Sequence, residues 1–370
     1  MAAHLMIGLM RMANQREHSS SPHTVVKVGD EPEAGTSGGV VDQAWMQAAI
    51  EAAWAARRRS SPNPWVGAVV VPAGPLRNGQ TPFFVGATQE PGGDHAEVVA
   101  LREAGSAASG STLYVTLEPC DHRGRTGPCT EAIIAAGVSR VVVGIVDPDR
   151  AVCGRGVARL KEAGIEVEVG SCAGEVEKQL APYITHRTKA RPWVVLKLAA
   201  TMDGRIAAPD GSSKWITGPQ ARRDVHELRA DSDAVLVGAA TVRADDPELT
   251  VRDITSPRQP LRVVLGNVEG SAKVLPALCL NGEIPEILGD LARRGVLQLL
   301  VEGGAQVAHD FHVSGLVDRY ALYMAPVLLG GADGLGMFAS QGAGTLSDAW
   351  RGHIVGARRL GEDLRVDLEP

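Results

Sequence analysis

The sequence is poor in aromatic residues and in cysteine, and it contains no long apolar run. Phe, Trp and Tyr account for 4% of the 370 residues, so Val, Leu, Ile and Ala must fill most of any core. Five cysteines are too few for a disulfide framework in a chain of this length, and their odd number indicates a reducing compartment. No run approaches the roughly 20 apolar residues of a membrane helix, and the N-terminal segment has no signal-peptide pattern. We therefore expect a cytoplasmic protein without a membrane partner.

The chain also lacks an excess of positive charge. Its formal net charge is −6, which argues against nucleic acid as a partner, because nucleic-acid binding usually requires a basic face. Local basic patches remain compatible with a small phosphate ester as ligand. A composition that is 44% apolar and 22% charged is ordinary for a folded globular protein, and a length of 370 residues predicts two domains.

Alternating strand and helix patterns divide the chain into three parts. Residues 1–41 are rich in Ser, Gly, Pro and charged residues, and we expect them to form a disordered extension. A first α/β series covers residues 42–186, with Asp42 as the expected N-cap of its first helix and a linker from about residue 171. A second α/β series covers residues 187–370 and begins with the strand pattern "WVVLKLAA".

The stretch "GGDHAEVVAL" places His95 and Glu97 where a glycine-rich loop gives way to a helix pattern. Asp94 could cap this helix with Glu97 three positions later, which resembles a capping box and leaves His95 as an ordinary first-turn residue. Alternatively, His95 and Glu97 belong to a metal site. A spacing of two does not share one helical face, so this interpretation requires the helix to start at the metal.

Two cysteines in "TLEPCDHRGRTGPCTEA" favour the metal site. Cys120 follows a strand pattern and Cys129 precedes a helix pattern, where the helix dipole favours a thiolate. Two thiols and one imidazole suit a tetrahedral Zn²⁺ with one open position. Zinc lowers the pKa of a bound water to about 7, and Glu97 is then the natural proton carrier.

A His-x-Glu followed by Pro-Cys and a second Cys is the arrangement of zinc-dependent deaminases, although eight residues separate the cysteines here rather than two. Together with "SPNPWVGAVVV" and "HRGRTGPC", this arrangement resembles the bifunctional riboflavin-biosynthesis proteins, in which a pyrimidine deaminase is fused to a reductase. The resemblance covers roughly residues 42–370. It implies a cytidine-deaminase-like three-layer α/β/α domain, with His95, Cys120 and Cys129 as zinc ligands and Glu97 as proton donor and acceptor.

The same resemblance assigns further residues of the first domain. It implies that Asn63 contacts substrate, although an Asn between two prolines is also typical of a simple turn. His122 and Arg125 match the family's loop, where they either hold substrate or order the loop itself. The remaining cysteines fit no ligand pattern, and we expect them to be packing residues. They are Cys153, Cys172 and Cys279.

In the second domain, "LLVEGGAQVAHDF" predicts a strand, a tight turn and a helix, a shape that brings backbone N–H groups close to phosphates. It lacks the full Gly-x-Gly-x-x-Gly fingerprint of a Rossmann domain. The segment from Lys197 to Arg252 resembles the reductase half of the same family, which implies a dihydrofolate-reductase-like α/β fold and NADPH. The implied cofactor contacts are Ala199, Trp215, Thr241, Asp245 and the turn beginning at Gly304. The implied substrate contacts are Ser213, Arg229, Leu249, Arg252 and Glu302.

Four charged residues of this domain have a possible chemical role apart from what the family resemblance implies. The guanidinium forks of Arg229 and Arg252 suit a 5′-phosphate, although solvated surface charge is the simpler alternative. Lys197 and Asp203 either position the sugar or form a structural ion pair. The segment between Arg252 and Val301 is short, which predicts a trimmed strand or helix and puts the contacts to the 2′-phosphate of NADPH in doubt.

The resemblance therefore predicts a two-step enzyme that acts on a small molecule. The first domain deaminates 2,5-diamino-6-ribosylamino-4(3H)-pyrimidinone 5′-phosphate, and the second reduces its ribosyl chain to ribityl with NADPH. The family also implies a homo-oligomer. Three alternatives are a deaminase with an inactive reductase domain, a nucleic-acid base deaminase, and a non-enzymatic nucleotide-binding protein.

Overall fold

The computed structural model describes residues 25–26, 37–74, 81–123, 127–150 and 152–370. Its contacts divide the chain into two compact units, with the boundary between Thr188 and Lys189. Most of the expected N-terminal extension lies outside the described residues, as does Arg125. None of the helices in the described ranges has both the length and the apolar character needed to cross a bilayer.

The first unit is an α/β unit with helices on both faces of its larger sheet. A 3₁₀ helix at Gly105–Ala108 supplements its regular elements. The regular elements are β1 (Val25–Val26), α1 (Ser37–Ser60), β2 (Gly67–Val71), β3 (Thr81–Pro82), β4 (Phe84–Ala87), α2 (Ala96–Ala104), β5 (Thr112–Leu117), α3 (Cys129–Ala135), β6 (Arg140–Ile145), α4 (Arg155–Glu162), β7 (Glu166–Val169) and α5 (Ala173–Lys189).

The larger sheet of this unit has the strand order β4-β2-β5-β6-β7. Strand β2 is antiparallel to both of its neighbours, whereas β5, β6 and β7 are parallel. A Cβ on Gly67 would meet α1, 1.9 Å from the Ala49 carbonyl oxygen, and a Cβ on Gly86 would meet α2, 2.0 Å from the Ala96 carbonyl oxygen. Because these two glycines face opposite sides of the sheet, α1 and α2 cover opposite faces and form a three-layer unit.

The second unit is built on an eight-stranded sheet. Its elements are β8 (Trp193–Thr201), β9 (Arg205–Ala207), α6 (Pro219–Ala230), β10 (Ala234–Gly238), α7 (Ala239–Asp245), β11 (Leu261–Leu265), β12 (Leu278–Leu280), α8 (Ile284–Arg293), β13 (Gln298–Val301), α9 (Ala305–Val313), β14 (Arg319–Ala325), β15 (Leu335–Gly336), β16 (His353–Leu360) and β17 (Asp363–Glu369).

The strand order of this sheet is β12-β11-β10-β13-β8-β14-β17-β16. The first six strands are parallel to one another. Strand β17 is antiparallel to both of its neighbours, β14 and β16. One buried cluster contains Leu299 and Val301 with residues of α8 and α9, and the other contains Leu300 with residues of α6 and α7. Alternate residues of one strand therefore serve two cores, which explains why the parallel strands read as continuous apolar runs.

Two expectations about the first helix are wrong. The helix begins at Ser37, before the expected boundary at residue 42. Asp42 is not its N-cap, because its carboxylate accepts hydrogen bonds from Arg140 Nη1 at 3.0 Å and from the Tyr114 hydroxyl at 2.6 Å. Tertiary partners therefore decide the role of this side chain.

Candidate active sites

Three side chains from separate segments meet in the first unit. His95 directly precedes α2, Cys120 follows β5, and Cys129 is the first residue of α3. His95 Nδ1 lies 3.6 Å from Cys120 Sγ and 3.2 Å from Cys129 Sγ. All three ligand atoms lie within 4.8 Å of one another, and this donor set is one that Zn²⁺ prefers.

The start of α2 differs from the capping-box expectation. His95, not Asp94, is the N-cap, and no side chain caps this helix end. Asp94 instead forms an ion pair with Arg102. Glu97 is only 3% exposed, and its carboxyl group contacts the Cys129 thiol. Glu97 therefore belongs to the site and does not serve as a helix cap.

Hydrogen bonds and burial shift the protonation of these four groups. Burial raises the pKa of Glu97 to about 7. The hydrogen bond from the Cys129 thiol lowers the pKa of Cys120 to about 4, and the same bond together with burial raises the pKa of Cys129. The hydrogen bond to Cys120 raises the pKa of His95 to about 9. A divalent cation would bind the thiolate form of both cysteines and the neutral imidazole, so metal binding at this site is coupled to proton release.

Glu118 fixes the segment that carries Cys120. Its side chain is 3% exposed and accepts two backbone N–H groups from the loop after β6 and one from the first turn of α4. Oε2 accepts from Asp147 at 3.1 Å and from Gly154 at 2.9 Å, and Oε1 accepts from Val157 at 3.1 Å. The role of Glu118 was not predicted from the sequence because its partners lie 29 to 39 residues away. Its position next to a Pro-Cys pair was the only available signal.

We predict that Glu118→Gln weakens zinc binding about tenfold, the lower end of the effect of outer residues on metal affinity. A carboxamide has one oxygen, so at least one N–H group of the loop must face its NH₂ group and the segment before Cys120 shifts. Competition with a chromophoric chelator measures the affinity. Glu131→Gln, at an exposed position in the first turn of α3, is the matched control. Equal affinities for both variants would contradict this anchoring role.

The expected substrate contacts of the first unit that the structure describes, Asn63 and His122, lie in loops. Asn63 is half-buried, and its backbone N–H donates to the Ser60 carbonyl at 2.9 Å, as the turn interpretation requires. His122 is exposed, and Arg125 lies outside the described residues. Among the other cysteines, Cys172 is partly buried, but Cys153 and Cys279 are exposed. The expectation that these two pack in a core is therefore wrong.

In the second unit, Arg229 and Glu302 form a buried pair. Arg229 Nε donates to Glu302 Oε1 at 2.6 Å, Nη2 donates to Oε2 at 3.0 Å, and Nη1 donates to the Thr250 carbonyl at 3.1 Å. Their side chains are 12% and 8% exposed. Glu302 and the Thr250 carbonyl would therefore compete with a phosphate for the Arg229 guanidinium, and phosphate binding by this residue stays a prediction.

Lys197 lies close to this pair. It projects from β8 with its Nζ 5.9 Å from the centroid of the Tyr323 ring, and burial lowers its pKa although the Glu302 charge opposes that shift. Asp203 does not pair with Lys197. It accepts from the Thr201 hydroxyl at 2.6 Å and from the Gly330 N–H at 2.8 Å. The alternative of a Lys197–Asp203 ion pair is therefore wrong.

The expected phosphate turn follows β13. Gly304 is the N-cap of α9, and its N–H donates to the Thr241 hydroxyl of α7 at 3.2 Å. Ala199 lies near the end of β8, so these residues share the carboxyl edge of the parallel strands. Ligands of open α/β sheets bind at this edge.

Other expected contacts lie on surrounding loops. Trp215 is 71% exposed and stacks against Arg222, and Asp245 lies 3.4 Å from Lys214 Nζ. Arg252 is half-exposed, pairs with Glu248, and donates its backbone N–H to His226 Nδ1 at 3.2 Å. Ser213 is half-buried and Leu249 is buried.

Fold and site define the class of the protein: a zinc-dependent deaminase domain is followed by a nucleotide-dependent reductase domain. Residues 40–145 match the model of the cytidine and deoxycytidylate deaminase zinc-binding region, and residues 192–366 match that of the RibD C-terminal domain. The chain belongs to the RibD family of bifunctional riboflavin-biosynthesis proteins. The expected cytidine-deaminase-like and dihydrofolate-reductase-like folds, zinc and NADPH are confirmed.

Several relatives match over almost their whole length. The riboflavin biosynthesis protein RibD of Aquifex aeolicus is 38% identical over 356 residues, which cover 88% of this chain and 98% of the relative. A structure of Acinetobacter baumannii RibD, form 2, has a TM-score of 0.82 at 36% identity and covers 90% of this chain and 100% of its own. A Thermotoga maritima structure has a TM-score of 0.80 at 35% identity, with coverages of 90% and 99%.

Proposed function

We propose that the first unit hydrolytically deaminates 2,5-diamino-6-ribosylamino-4(3H)-pyrimidinone 5′-phosphate and that the second unit reduces the ribosyl chain of the product to ribityl with NADPH. The observation that carries the proposal is the meeting of His95, Cys120 and Cys129 beside the buried Glu97. The Thermotoga maritima relative supports it, since that protein is a diaminohydroxyphosphoribosylaminopyrimidine deaminase and 5-amino-6-(5-phosphoribosylamino)uracil reductase.

The deamination assigns one role to each group of the first site. His95, Cys120 and Cys129 would hold zinc, which when bound supplies a Lewis acid that makes water nucleophilic at neutral pH. The Glu97 carboxylate takes a proton from the attacking water and delivers protons to the ring nitrogen and to the leaving amine. The exocyclic bond between the ring carbon and its amino group breaks as a carbonyl forms at that carbon, and ammonia leaves. Asn63, with His122 and Arg125, binds the substrate.

In the reduction, the protein holds the cofactor against the sugar, and NADPH when bound would supply the hydride. Ala199 would contact the nicotinamide, and Thr241 and the N–H groups after Gly304 would bind the diphosphate, with Trp215 and Asp245 at the rim. Arg229 orients Glu302 toward the substrate, and Lys197 polarises the sugar oxygen. Arg252, whose guanidinium is half-exposed, then takes the 5′-phosphate, beside Ser213 and Leu249.

A coupled assay with the purified diaminopyrimidine ribotide tests both steps, because it follows ammonia release and NADPH oxidation together. Ammonia without NADPH oxidation, even when the deaminated intermediate is supplied, would favour a deaminase with an inactive reductase domain. A mobility shift with tRNA at physiological salt would favour the nucleic-acid base deaminase. Zinc binding without ammonia release would favour the non-enzymatic alternative.

We predict that removing zinc with a chelator abolishes ammonia release and leaves the reduction of the deaminated intermediate unchanged. The three metal-binding groups all lie in the first unit, and the proposed reduction uses residues of the second unit alone. Separate assays of the two reactions, before and after zinc is added back, measure this. Loss of both activities on chelation would contradict the assignment of one reaction to each unit.

The family resemblance also supports proposals about oligomeric state, cellular compartment and partners. The protein acts on a small molecule as a homo-oligomer, and it works in the cytoplasm without a nucleic-acid partner, in keeping with its net charge of −6. Light scattering of the purified chain measures the oligomeric state.

A further inference from the structure

A cavity of about 620 Å³ opens in the second unit, at the ends of β11 and β12. The start of α8 and the last turn of α9 close its other sides. The residues that line this cavity include Leu265, Gly266, Asn281, Glu283, Asp310 and Ser314.

The cavity borders the proposed diphosphate turn. A Cβ on Gly266 would lie 3.1 Å from the Ala239 Cβ, and Ala239 begins the helix that carries Thr241. The Thr241 hydroxyl in turn accepts the Gly304 N–H. Gly266 at the cavity is therefore joined to the turn through Ala239 and the helix that carries Thr241.

The strand order places three features in a row along the sheet edge. Lys197 and Ala199 lie on β8, the diphosphate turn joins β13 and β10, and Gly266 follows β11. Three strand spacings separate β8 from β11, or about 14 Å at 4.8 Å per spacing. An extended dinucleotide with its nicotinamide at β8 would thus place its adenosine in the cavity.

The charges in this cavity do not favour a phosphate. Glu283 and Asp310 contribute carboxylates, and in the part of the chain that the structure describes no lysine or arginine lines the cavity. Glu283 is the N-cap of α8 and Glu286 lies in its first turn, so carboxylates already face the positive end of this helix. An arginine usually receives the 2′-phosphate of NADPH, whereas a carboxylate suits the free 2′-hydroxyl of NADH.

Nearby cations outside the cavity have partners of their own. Lys273 Nζ lies 3.4 Å from Asp246, Lys214 Nζ lies 3.4 Å from Asp245, and Arg262 donates to the Lys273 carbonyl. Arg243 of α7 is exposed and does not line the cavity. Among the described residues, the charged groups that line the cavity are therefore Glu283 and Asp310, and Asp310 Oδ1 also accepts from Gln306 Nε2 at 2.8 Å.

We propose that this cavity binds the adenosine end of the dinucleotide without selecting for the 2′-phosphate, so that the reductase uses NADH as well as NADPH. The inference rests on the proposed reductase function and on the place it gives the cofactor. Asp310 and Glu283 are then the residues that set the cofactor preference, because no lysine or arginine of the segment between Arg252 and Val301 lines the cavity to oppose them.

The test compares kcat/KM for NADH and NADPH with the deaminated intermediate at constant ionic strength, and it also compares the Kd of the two reduced cofactors, measured by nicotinamide fluorescence without substrate. We expect the two values to lie within about tenfold of each other, which is a difference of no more than 1.4 kcal/mol in transition-state binding. Oxidation of NADPH alone, with a preference above about a hundredfold, would overturn the inference and leave the proposed function intact. Oxidation of neither cofactor would instead contradict the proposed reductase function.

Three variants sharpen this test. Asp310→Arg places a cation in the cavity and should raise the NADPH preference about tenfold, as one added charge-assisted contact allows. Glu362→Arg makes the same charge change in the β16–β17 turn, where Glu362 pairs with Arg359, and should leave the preference unchanged. Arg243→Ala should also leave it unchanged. An equal shift in Asp310→Arg and Glu362→Arg, or a fall in NADPH preference in Arg243→Ala, would overturn the inference.

Discussion

Glu97→Gln should lower the rate of ammonia release about a thousandfold and leave zinc bound. Glutamine has nearly the same shape, so it fills the same buried space beside Cys129, but its amide cannot accept a proton from water or return one to the substrate. General acid–base groups typically contribute 10² to 10⁴-fold to a rate. The readouts are ammonia released from the diaminopyrimidine ribotide and the zinc content of the purified protein.

Glu103→Gln is the matched control for this change. Glu103 lies on the same helix, α2, but its side chain is exposed. We expect this variant to deaminate at the normal rate. Normal deamination by Glu97→Gln as well would show that another group carries the proton, and loss of zinc from Glu97→Gln would show that Glu97 instead maintains the metal site.

Glu302→Ala should destabilise the second unit by about 3–5 kcal/mol, the usual cost of removing one partner of a buried ion pair. Without Glu302, the Arg229 guanidinium, 12% exposed, loses both hydrogen bonds of its fork and keeps only the bond to the Thr250 carbonyl. Reduction of the deaminated intermediate should be lost as well. Urea unfolding of the full chain, followed by hydrogen exchange in residues 189–370, measures the change in stability.

Acid should weaken the same pair. Burial is the largest single influence and would raise the pKa of Glu302. The charge and hydrogen bonds of Arg229, together with the charges of Lys197 and His226, outweigh burial and lower this pKa below its ordinary value. The pair therefore contributes its full stability at neutral pH, and this contribution is lost as the pH falls through the lowered pKa.

Glu362→Ala, which breaks an exposed pair with Arg359, is the control for Glu302→Ala and should change the free energy of unfolding far less. Equal destabilisation by the two variants would contradict the importance of burial here.

The sequence predicted most elements that are long, apolar and bounded by turn residues. Strand β10 is buried and apolar throughout, β6 is apolar after Arg140, and β8 is apolar apart from Lys197 and Thr201. Strands β16 and β17 were missed because charged residues interrupt them. Helix α7 was missed because it follows β10 without a break in the apolar pattern.

The metal-binding residues could be found from the sequence because their motif is local, with two cysteines nine positions apart and a His-x-Glu before them. The roles of other side chains could not be found in this way. Arg229 meets Glu302 across 73 positions, and Asp42 meets Arg140 across 98. Such partners become visible only when strands from distant segments pair, and the pairing of Asp42 changed the role that the local pattern had indicated.

The backbone around the metal site ties the two cysteines to each other. The Thr130 N–H donates to the Cys120 carbonyl at 3.2 Å, and the Cys129 N–H donates to Cys120 Sγ at 3.4 Å. The nine-residue span between the two thiols is therefore closed by bonds of its own, so a change of length or sequence between residues 121 and 128 can be absorbed in the loop without separating the two sulfur atoms.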